Sequence, residues 1–452
     1  MKTYKEITAY LDSFINYEKK NFFPYHESLK LERVKSLFDT LNIAYEKLKV
    51  IHIAGTKGKG SVATFCAYML AASGKRVGLF TSPHLFDFRE RIKIVKSSRC
   101  KVKSFMISKK DVVRILKEIK PGIEKFKKTS KFGEPTFFEV FTAIALEYFL
   151  EKKVDVAVLE TGLGGRLDAT NVVTPLVSVI THIDYDHTDK LGKRLNQIAY
   201  EKAGIIKKGV PVISDYQRMI VSDVFKKQCY KLKVPLFVYG KDFVAERIRL
   251  NSNHTAFDFQ SPIQNVKGAK IFLKGKYQIH NASLAMAAVS FLKKDAAIKE
   301  GLSQAFLEGR FEIAKRNPLI ILDIAHNPVS FLALKDNLAT YFPSKKVILI
   351  FAASKDKDIK GMLKNFPFSY LILTCFNNPR SMEPFQMQRQ AKAKSAFVAP
   401  DIKGALAIAK SLYTKDSLIL VSGSLFLVAE AKKILRLLSK NILFACSHPS
   451  HC

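Results

Sequence analysis

The segment Ala54-Gly-Thr-Lys-Gly-Lys-Gly-Ser61 is where residue type and spacing speak most directly of chemistry. Small residues let successive backbone N–H groups curl around phosphate oxygens. The start of a following helix adds a favourable dipole, and Lys59 can neutralise phosphoryl charge. A phosphate cradle built from Gly55, Thr56, Gly58, Lys59, Gly60 and Ser61 is the expectation. The strict pattern G-x-x-x-x-G-K-[ST] is not met, because two residues separate Gly55 from Gly58 and Gly60 intervenes between Lys59 and Ser61. An ordinary glycine turn is therefore the competing reading. Three further residues read two ways by themselves. Glu160 closes an apolar run, where a carboxylate is costly if buried unpaired, so it is either a solvent-facing acid or a cation ligand. His187, in Ile183-Asp-Tyr-Asp-His-Thr188, is either a hydrogen-bonding surface histidine or a metal-supporting one, and Lys202, in Glu201-Lys-Ala-Gly204, is a solvated helix lysine unless function claims it.

Elements of regular period surround these residues. Val50 to Ala54 reads as a strand before the glycine segment, Val62 to Ser73 as the helix after it, and Arg76 to Thr81 as a second strand. That β-loop-α-β unit is the building block of a parallel sheet. A helix over about Phe137 to Leu150 precedes the run Val154 to Glu160, and Leu176 to Ile183 and Val210 to Ile213 are further apolar runs suited to a sheet covered on both faces. Residues 240 to 275 alternate with polar turns and predict an antiparallel hairpin region, followed by a helix from about His280 to Leu292. A second α/β pattern begins after Arg310, with strands at Leu319 to Asp323, Lys346 to Phe351, Tyr370 to Thr374 and Ser417 to Val421. The fold class is α/β: a doubly wound, mostly parallel first domain over residues 1–300 and a smaller Rossmann-like one over 301–440. The boundary falls near 297–309, with a tail at 441–452.

Composition excludes several classes. The 452 residues and 48% hydrophobic content suit two or three domains and argue against disorder. No run approaches the roughly 18 apolar residues that cross a bilayer, and the amino terminus lacks the apolar core of a signal peptide, so a cytoplasmic protein without membrane partners is expected. Six cysteines without a C-x-x-C indicate neither a disulfide scaffold nor a redox pair. The net charge of +34 raises nucleic acid as a partner. With 16 Arg against 58 Lys, dispersed and without a basic arm, codon bias and attraction of small anions explain the charge better.

The form Gly55-Thr-x-Gly-Lys-Gly-Ser61 resembles the Mur ligase superfamily, and Thr81-Ser-Pro-His-Leu85 with Arg89-Glu-Arg91 narrows the resemblance to folylpolyglutamate synthase and dihydrofolate synthase. Leu159 to Asn171, Asp186-His-Thr188, Glu201 to Ile206, His280-Asn281, Gly309-Arg-Phe311, Asp323 to Pro328 and Gly423-Ser-Leu425 follow in the family's order, over residues 28 to 435. The resemblance implies an ATP-dependent amide ligase with a P-loop-containing, Mur-ligase-like domain and a C-terminal α/β domain. Such an enzyme would add L-glutamate to dihydropteroate, to reduced folates, or to both, through an acyl phosphate. It further implies Mg²⁺, in two sites, held by Ser82, Glu160, His187 and a carbamylated Lys202, with Lys59, His187 and Lys202 serving catalysis. Asn281 would contact adenine, Arg310 phosphate and Asp323 ribose, so that ATP lies between the domains. The folate side would be lined by Ser28, Leu29, Lys30, Leu31, Thr136, Phe137, Phe138, Leu167, Asp168 and Ala169, with His326 near the incoming glutamate; Phe137 and Phe138 read equally as core.

Some positions depart from the family pattern. Lys57 replaces a frequent Asn, Ile324 replaces a Gly, and the link Lys93 to Met106 is longer and more basic than usual. The tail Cys446-Ser-His-Pro-Ser-His-Cys452 holds four soft donors beyond the last helix. A monomer is expected. Two other readings compete: a Mur-type ligase acting on a UDP-sugar, against which Thr81 to Leu85 argues, and a basic nucleic-acid-binding ATPase.

Overall fold

The structure is a computed structural model that describes residues 3–18, 23–99, 101–251, 253–292, 297–391 and 395–445; the Cys/His tail lies outside them. The chain divides into two compact units. The first comprises Met1–Arg249, Thr255–Phe272 and Tyr277–Ala305; the second comprises Leu250–His254, Leu273–Lys276 and the chain from Phe306 on.

An eight-stranded sheet organises the first unit. Its strands are β1 (Val50–Ala54), β2 (Val77–Phe80), β3 (Ile92–Ser98), β4 (Lys101–Met106), β5 (Val156–Glu160), β6 (Val177–Ile180), β7 (Val212–Ser214) and β8 (Leu236–Val238), in the order β4-β3-β2-β5-β1-β6-β7-β8. From β2 to β8 every pairing is parallel. All five residues of β1 and of β5 are buried, as the unbroken apolar runs require when helices cover both faces. Chain order reverses about β1, which lies between β5 and β6. A crevice at the carboxyl ends of these three strands is where such sheets bind ligands.

Three helices explain how that crevice is backed. The helix Lys59–Ala72 is apolar nearly all round because other helices enclose it. Tyr277–Leu292 lies against it closely enough for the Cys66 thiol to point at the Ala285 carbonyl. Gly301 of Ile298–Gln304 sits where a side chain would meet the Met69 backbone at 2.4 Å. On the far side, Phe137–Glu151 starts in a capping box between Thr136 and Glu139, and Glu139 also forms a buried ion pair with Arg33 at 2.7 Å.

A small sheet of β9 (Val244–Leu250), β10 (Thr255–Gln260) and β11 (Val266–Ile271), ordered β11-β10-β9, fills the region expected to form a hairpin. The second unit holds β12 (Glu312–Arg316), β13 (Leu319–Leu322), β14 (Lys346–Phe351), β15 (Tyr370–Leu373), β16 (Phe397–Val398) and β17 (Ser417–Ser422), ordered β12-β13-β17-β14-β15-β16. Its pairings are parallel except for β12 against β13, an antiparallel edge strand that periodicity does not announce.

The basic segment Lys93–Met106, expected as a loop, is instead a β-hairpin. Lys93 pairs with Met106 and Ser98 with Lys101, and the hairpin continues the main sheet as its antiparallel edge. Its alternation of Ile92 and Ile94 with lysines satisfies one covered and one exposed face. The helix after the glycine segment begins at Lys59 rather than Val62, so Gly60 and Ser61 belong to its first turn.

Candidate active site

β1 ends at Ala54 and the chain turns back over the carboxyl end of β6. The N–H groups of Thr56 and Lys57 both donate to the His182 carbonyl, at 3.0 and 3.3 Å, and the Thr56 hydroxyl meets the Asp184 backbone. Two glycines are dictated by this path. Gly55 has φ +148° and a side chain there would lie 1.8 Å from the Thr181 hydroxyl; Gly58 has φ +93° and a side chain would lie 2.2 Å from Asn281 Oδ1. Gly58 then caps the helix, whose first N–H groups face the crevice with the helix dipole behind them.

Two amines converge on this turn. Lys59 Nζ donates to the Gly55 carbonyl at 3.2 Å, and Lys202 Nζ, from the end of the helix Leu195–Ala203, donates to the same oxygen at 2.8 Å. Burial pushes the Lys202 amine down from 10.5 to about 7, and the Lys59 charge pushes the same way. His187, half-exposed at φ +49°, is also held below the usual histidine range, by partial burial and then by Lys190, Lys59 and Lys202. A pocket of excess positive charge at a helix start is suited to a polyphosphate.

The opposing acid is Glu160, buried at the end of β5 and in register with Ile53 of β1. Its Oε2 accepts from the Ser82 N–H at 3.1 Å, which places Ser82 and Glu160 side by side. Among the described residues no three His, Cys, Asp or Glu side chains cluster as a metal site. The expected ligand set contributes two such residues, Glu160 and His187, and completes itself with a serine and a lysine.

The lysine is positioned from below. Arg166 holds the buried Glu201 carboxylate at 2.9 Å, its N–H donates to the Glu201 carbonyl at 2.7 Å, and the Tyr25 hydroxyl reaches Glu201 at 3.3 Å. Gly165 and Gly204 let the two segments touch: a side chain on Gly204 would meet Arg166 Cα at 2.4 Å. Asn171 ties them again by donating to the Arg166 and Gly204 carbonyls.

The residues expected to line the folate side divide into two groups. Phe138 is partly buried, 5.8 Å from Phe80 between ring centres and close over Gly162, so it can offer a ring face. Leu29, Lys30, Leu31 and Leu167 are also partly accessible, as is Ser28, whose carbonyl accepts from Arg33. Phe137, in contrast, is 5% exposed and stacks on Phe141 within the core. Thr136 is buried as a helix cap and Ala169 lies in the core. Asp168 has both oxygens engaged by its own loop: Oδ2 accepts from Gly162 and Leu163, Oδ1 from the Thr170 N–H and hydroxyl. Burial nevertheless pushes its carboxyl up. These four shape the site's walls.

Asn281 is buried beneath the glycine turn, its Nδ2 donating to Gln278 at 3.0 Å. In the second unit, Asp323 at the end of β13 accepts from the Phe311 and Ala325 N–H groups, both at 2.8 Å. Arg310 is exposed beside it and draws its carboxyl down against the burial that raises it. Ile324 is 8% exposed without a left-handed backbone, so the replacement of Gly is accommodated without strain. His326 Nδ1 lies 2.9 Å from the Ile324 carbonyl.

Sequence reasoning passed over Thr161 and Thr181, which follow β5 and β6 on either side of β1 and have buried hydroxyls without hydrogen-bond partners among the described residues. Their position at the ends of the flanking strands was the available signal.

Residues 53–289 match the Mur ligase middle domain and residues 309–425 the Mur ligase, glutamate ligase domain. A Bacillus subtilis protein named dihydrofolate synthase/folylpolyglutamate synthase is 32% identical over 416 residues, covering 90% of this chain and 95% of the relative. A folylpolyglutamate synthase from Thermotoga maritima superposes with a TM-score of 0.83 at 34% identity, over 96% of each chain. A folylpolyglutamate synthase solved with AMPPCP and folate gives a TM-score of 0.79 at 28% identity, over 96% of this chain and 99% of the other. With the glycine turn, its paired lysines and the Glu160–Ser82 contact in that same fold, the chain belongs to the folylpolyglutamate synthase/dihydrofolate synthase family of Mur ligases and is an ATP-dependent glutamate ligase.

Proposed function

We propose that this chain joins L-glutamate to a carboxylate of dihydropteroate, of reduced folates, or of both, with Mg·ATP as the energy source. The observation that carries the reading is the convergence of Lys59 and Lys202 on the Gly55 carbonyl, at the mouth of a glycine turn whose other wall carries Glu160 and Ser82. Ligation requires the γ-phosphoryl of ATP to pass to the acceptor carboxylate, giving an acyl phosphate and ADP. The glutamate amine then displaces phosphate, and the amine proton must leave.

This chain's residues divide that labour by position. The N–H groups of the first helical turn and Lys59 would hold the β- and γ-phosphates in line with the acceptor. Ser82, Glu160 and His187 offer oxygen and imidazole donors that fit Mg²⁺. Bound there, the ion would screen phosphate charge as it shifts to the leaving oxygen. Asn281 beneath the turn and Arg310 and Asp323 of the second unit are assigned to the rest of the nucleotide; Phe138 and the Ser28–Leu31 segment are assigned to the acceptor's rings, and His326 to the incoming glutamate.

An amine near neutrality is a nucleophile at physiological pH. Lys202 can therefore take up CO₂ as the neutral amine: a C–N bond forms, one proton leaves the nitrogen, and the amine becomes a carbamate with two oxygen donors for a second Mg²⁺. Intact-protein mass spectra under bicarbonate should carry one CO₂ increment that Lys202→Ala loses, and small carboxylates should partly rescue that variant. The reading includes a cytoplasmic monomer, residues 1–300 acting on ATP and folate and 301–440 on glutamate; light scattering at a single-chain mass tests the monomer. The central test is glutamate-dependent release of ADP and phosphate with dihydropteroate or tetrahydrofolate as acceptor, products identified by mass. Absence of turnover with every pterin acceptor would remove the proposal.

A further inference from the structure

A second concavity of about 1120 Å³ lies outside the phosphate site but within the first unit, between the helices Leu195–Ala203 and Met219–Leu232 and the turn before them. Its lining is cationic: Arg166, Lys190, Lys193, Arg194, Lys227 and Lys231 stand against Asp189 and Glu201. Both acids are already matched, Glu201 by Arg166 at 2.9 Å and Asp189 by Lys190 at 3.9 Å. The other four cations have no acidic partner among the described residues. Lys227 and Lys231 are four apart on one helix, so they project on one face, and Lys193 and Arg194 face the same hollow from the turn. An uncompensated row of this kind is a place for several negative charges set along a chain.

The concavity is tied to the reaction site through the chain at two places: Thr188 in its lining directly follows His187, and Glu201 in its lining directly precedes Lys202. Resting on the proposed function, we propose that this basin holds the carboxylates of the oligo-γ-glutamyl tail already attached to the acceptor. Each ligation adds one carboxylate to that tail, so an acceptor with several glutamates presents a row of charges that the four free cations can match. The lining disfavours single-stranded nucleic acid, which needs open aromatic faces to stack its bases. Tyr200, 57% exposed, supplies a single ring, and the Arg166 guanidinium lies over one of its faces at 5.5 Å, which leaves one face for stacking.

The test uses the full chain and the double variant Lys227→Gln/Lys231→Gln, two exposed side chains outside the machinery assigned above. Steady-state kinetics with tetrahydropteroyl-triglutamate and with its monoglutamyl counterpart should give a KM about 5- to 10-fold higher for the longer acceptor in the variant. The KM for the shorter acceptor and both kcat values should stay within twofold. Equal changes for the two acceptors, or none, would overturn the proposal. Fluorescence-detected binding of free penta-γ-glutamate separates this idea from the ligase reading. Binding by the native chain, weakened at least fivefold in the variant, supports the basin even if no pterin acceptor turns over. Absence of binding in the native chain, or an oligonucleotide bound as tightly and lost in the same variant, refutes it.

Discussion

Lys202→Met should make the protein more stable while abolishing ligation. The amine lies in the interior with one acceptor, the Gly55 carbonyl at 2.8 Å, and with Lys59 pointing at that same oxygen. Its fall from 10.5 to about 7 means that the unfolded chain binds a proton throughout a window in which the folded chain has released it. Stability must then rise with pH from about 7 to about 10.5, and below 7 the full penalty of the buried cation stands. At about 1.36 kcal/mol per pH unit that penalty is roughly 4–5 kcal/mol. Methionine removes it and loses a hydrogen bond worth about 1 kcal/mol, leaving a gain of roughly 3 kcal/mol. For 452 residues, at about 2.1 cal/mol/K of unfolding entropy per residue, the gain corresponds to roughly 3 °C in Tm. The assay is a thermal melt in buffer free of bicarbonate, nucleotide and divalent metal, from pH 7 to pH 10. The advantage of the variant should be largest at pH 7 and shrink towards pH 10. A variant that melts at or below the native protein, or an advantage that does not change with pH, would show that the lysine is not a desolvated cation.

Three further outcomes follow from other parts of the site. Gly58→Ala forces a left-handed backbone on a residue with a side chain, at a cost of about 1–2 kcal/mol, and drives it onto Asn281; ATP binding measured by calorimetry should weaken at least tenfold while the circular dichroism spectrum is retained. Glu160→Gln keeps the shape at the end of β5 but removes its charge beside Ser82, so kcat should fall by about 100-fold or more with Tm changed by a few degrees, read by ADP release and calorimetry. His52, buried in the middle of β1, is held down from 6.5 to about 3 by burial and by Lys207. The unfolded ring takes a proton below 6.5 while the folded one stays neutral, so stability is lost as pH falls from 6.5 towards 3, by about 2 kcal/mol at pH 5. His52→Gln, which can still donate to Thr170, should flatten that part of the Tm–pH curve; equal slopes would contradict the assignment.

Much of this was legible from the sequence because the relevant signals are local. The run Val50–Ala54, the glycines after it and the apolar helix behind them lie within a few turns of one another. The Gly55 and Gly58 requirement appears as soon as the chain is threaded between β1 and a helix. The family's motif order supplied the rest of the catalytic assignment. What sequence could not separate was which motif residues face a ligand and which support the wall. Thr136, Phe137 and Asp168 stand in motifs beside the accessible Phe138 and Leu167, yet their side chains are taken up by a helix cap, a ring stack and a loop. That division depends on partners far away in the chain, such as Arg33 against Glu139, 106 residues apart. The hairpin β3–β4 was missed for a related reason. Lysines on its exposed face disguise an edge strand as a polar link.

The same long-range dependence explains why the Leu159–Asn171 and Glu201–Ile206 motifs form one device rather than two. Lys202 can be presented to the glycine turn only if the end of its helix is held close to the loop after Glu160. Backbone closeness is what Gly165 and Gly204 permit, Arg166 and Asn171 fasten, and Glu201 neutralises. A side chain on either glycine would push apart the acid at the end of β5 and the amine that faces it across the phosphate turn. Stability is sacrificed at just these points: a desolvated lysine, two threonine hydroxyls buried without partners among the described residues and two left-handed glycines all border the carboxyl end of β1. The lysine and the threonines would be easy to replace by something more stable, whereas the glycines admit no side chain, and their concentration at one strand end is what a site preorganised for moving charge requires.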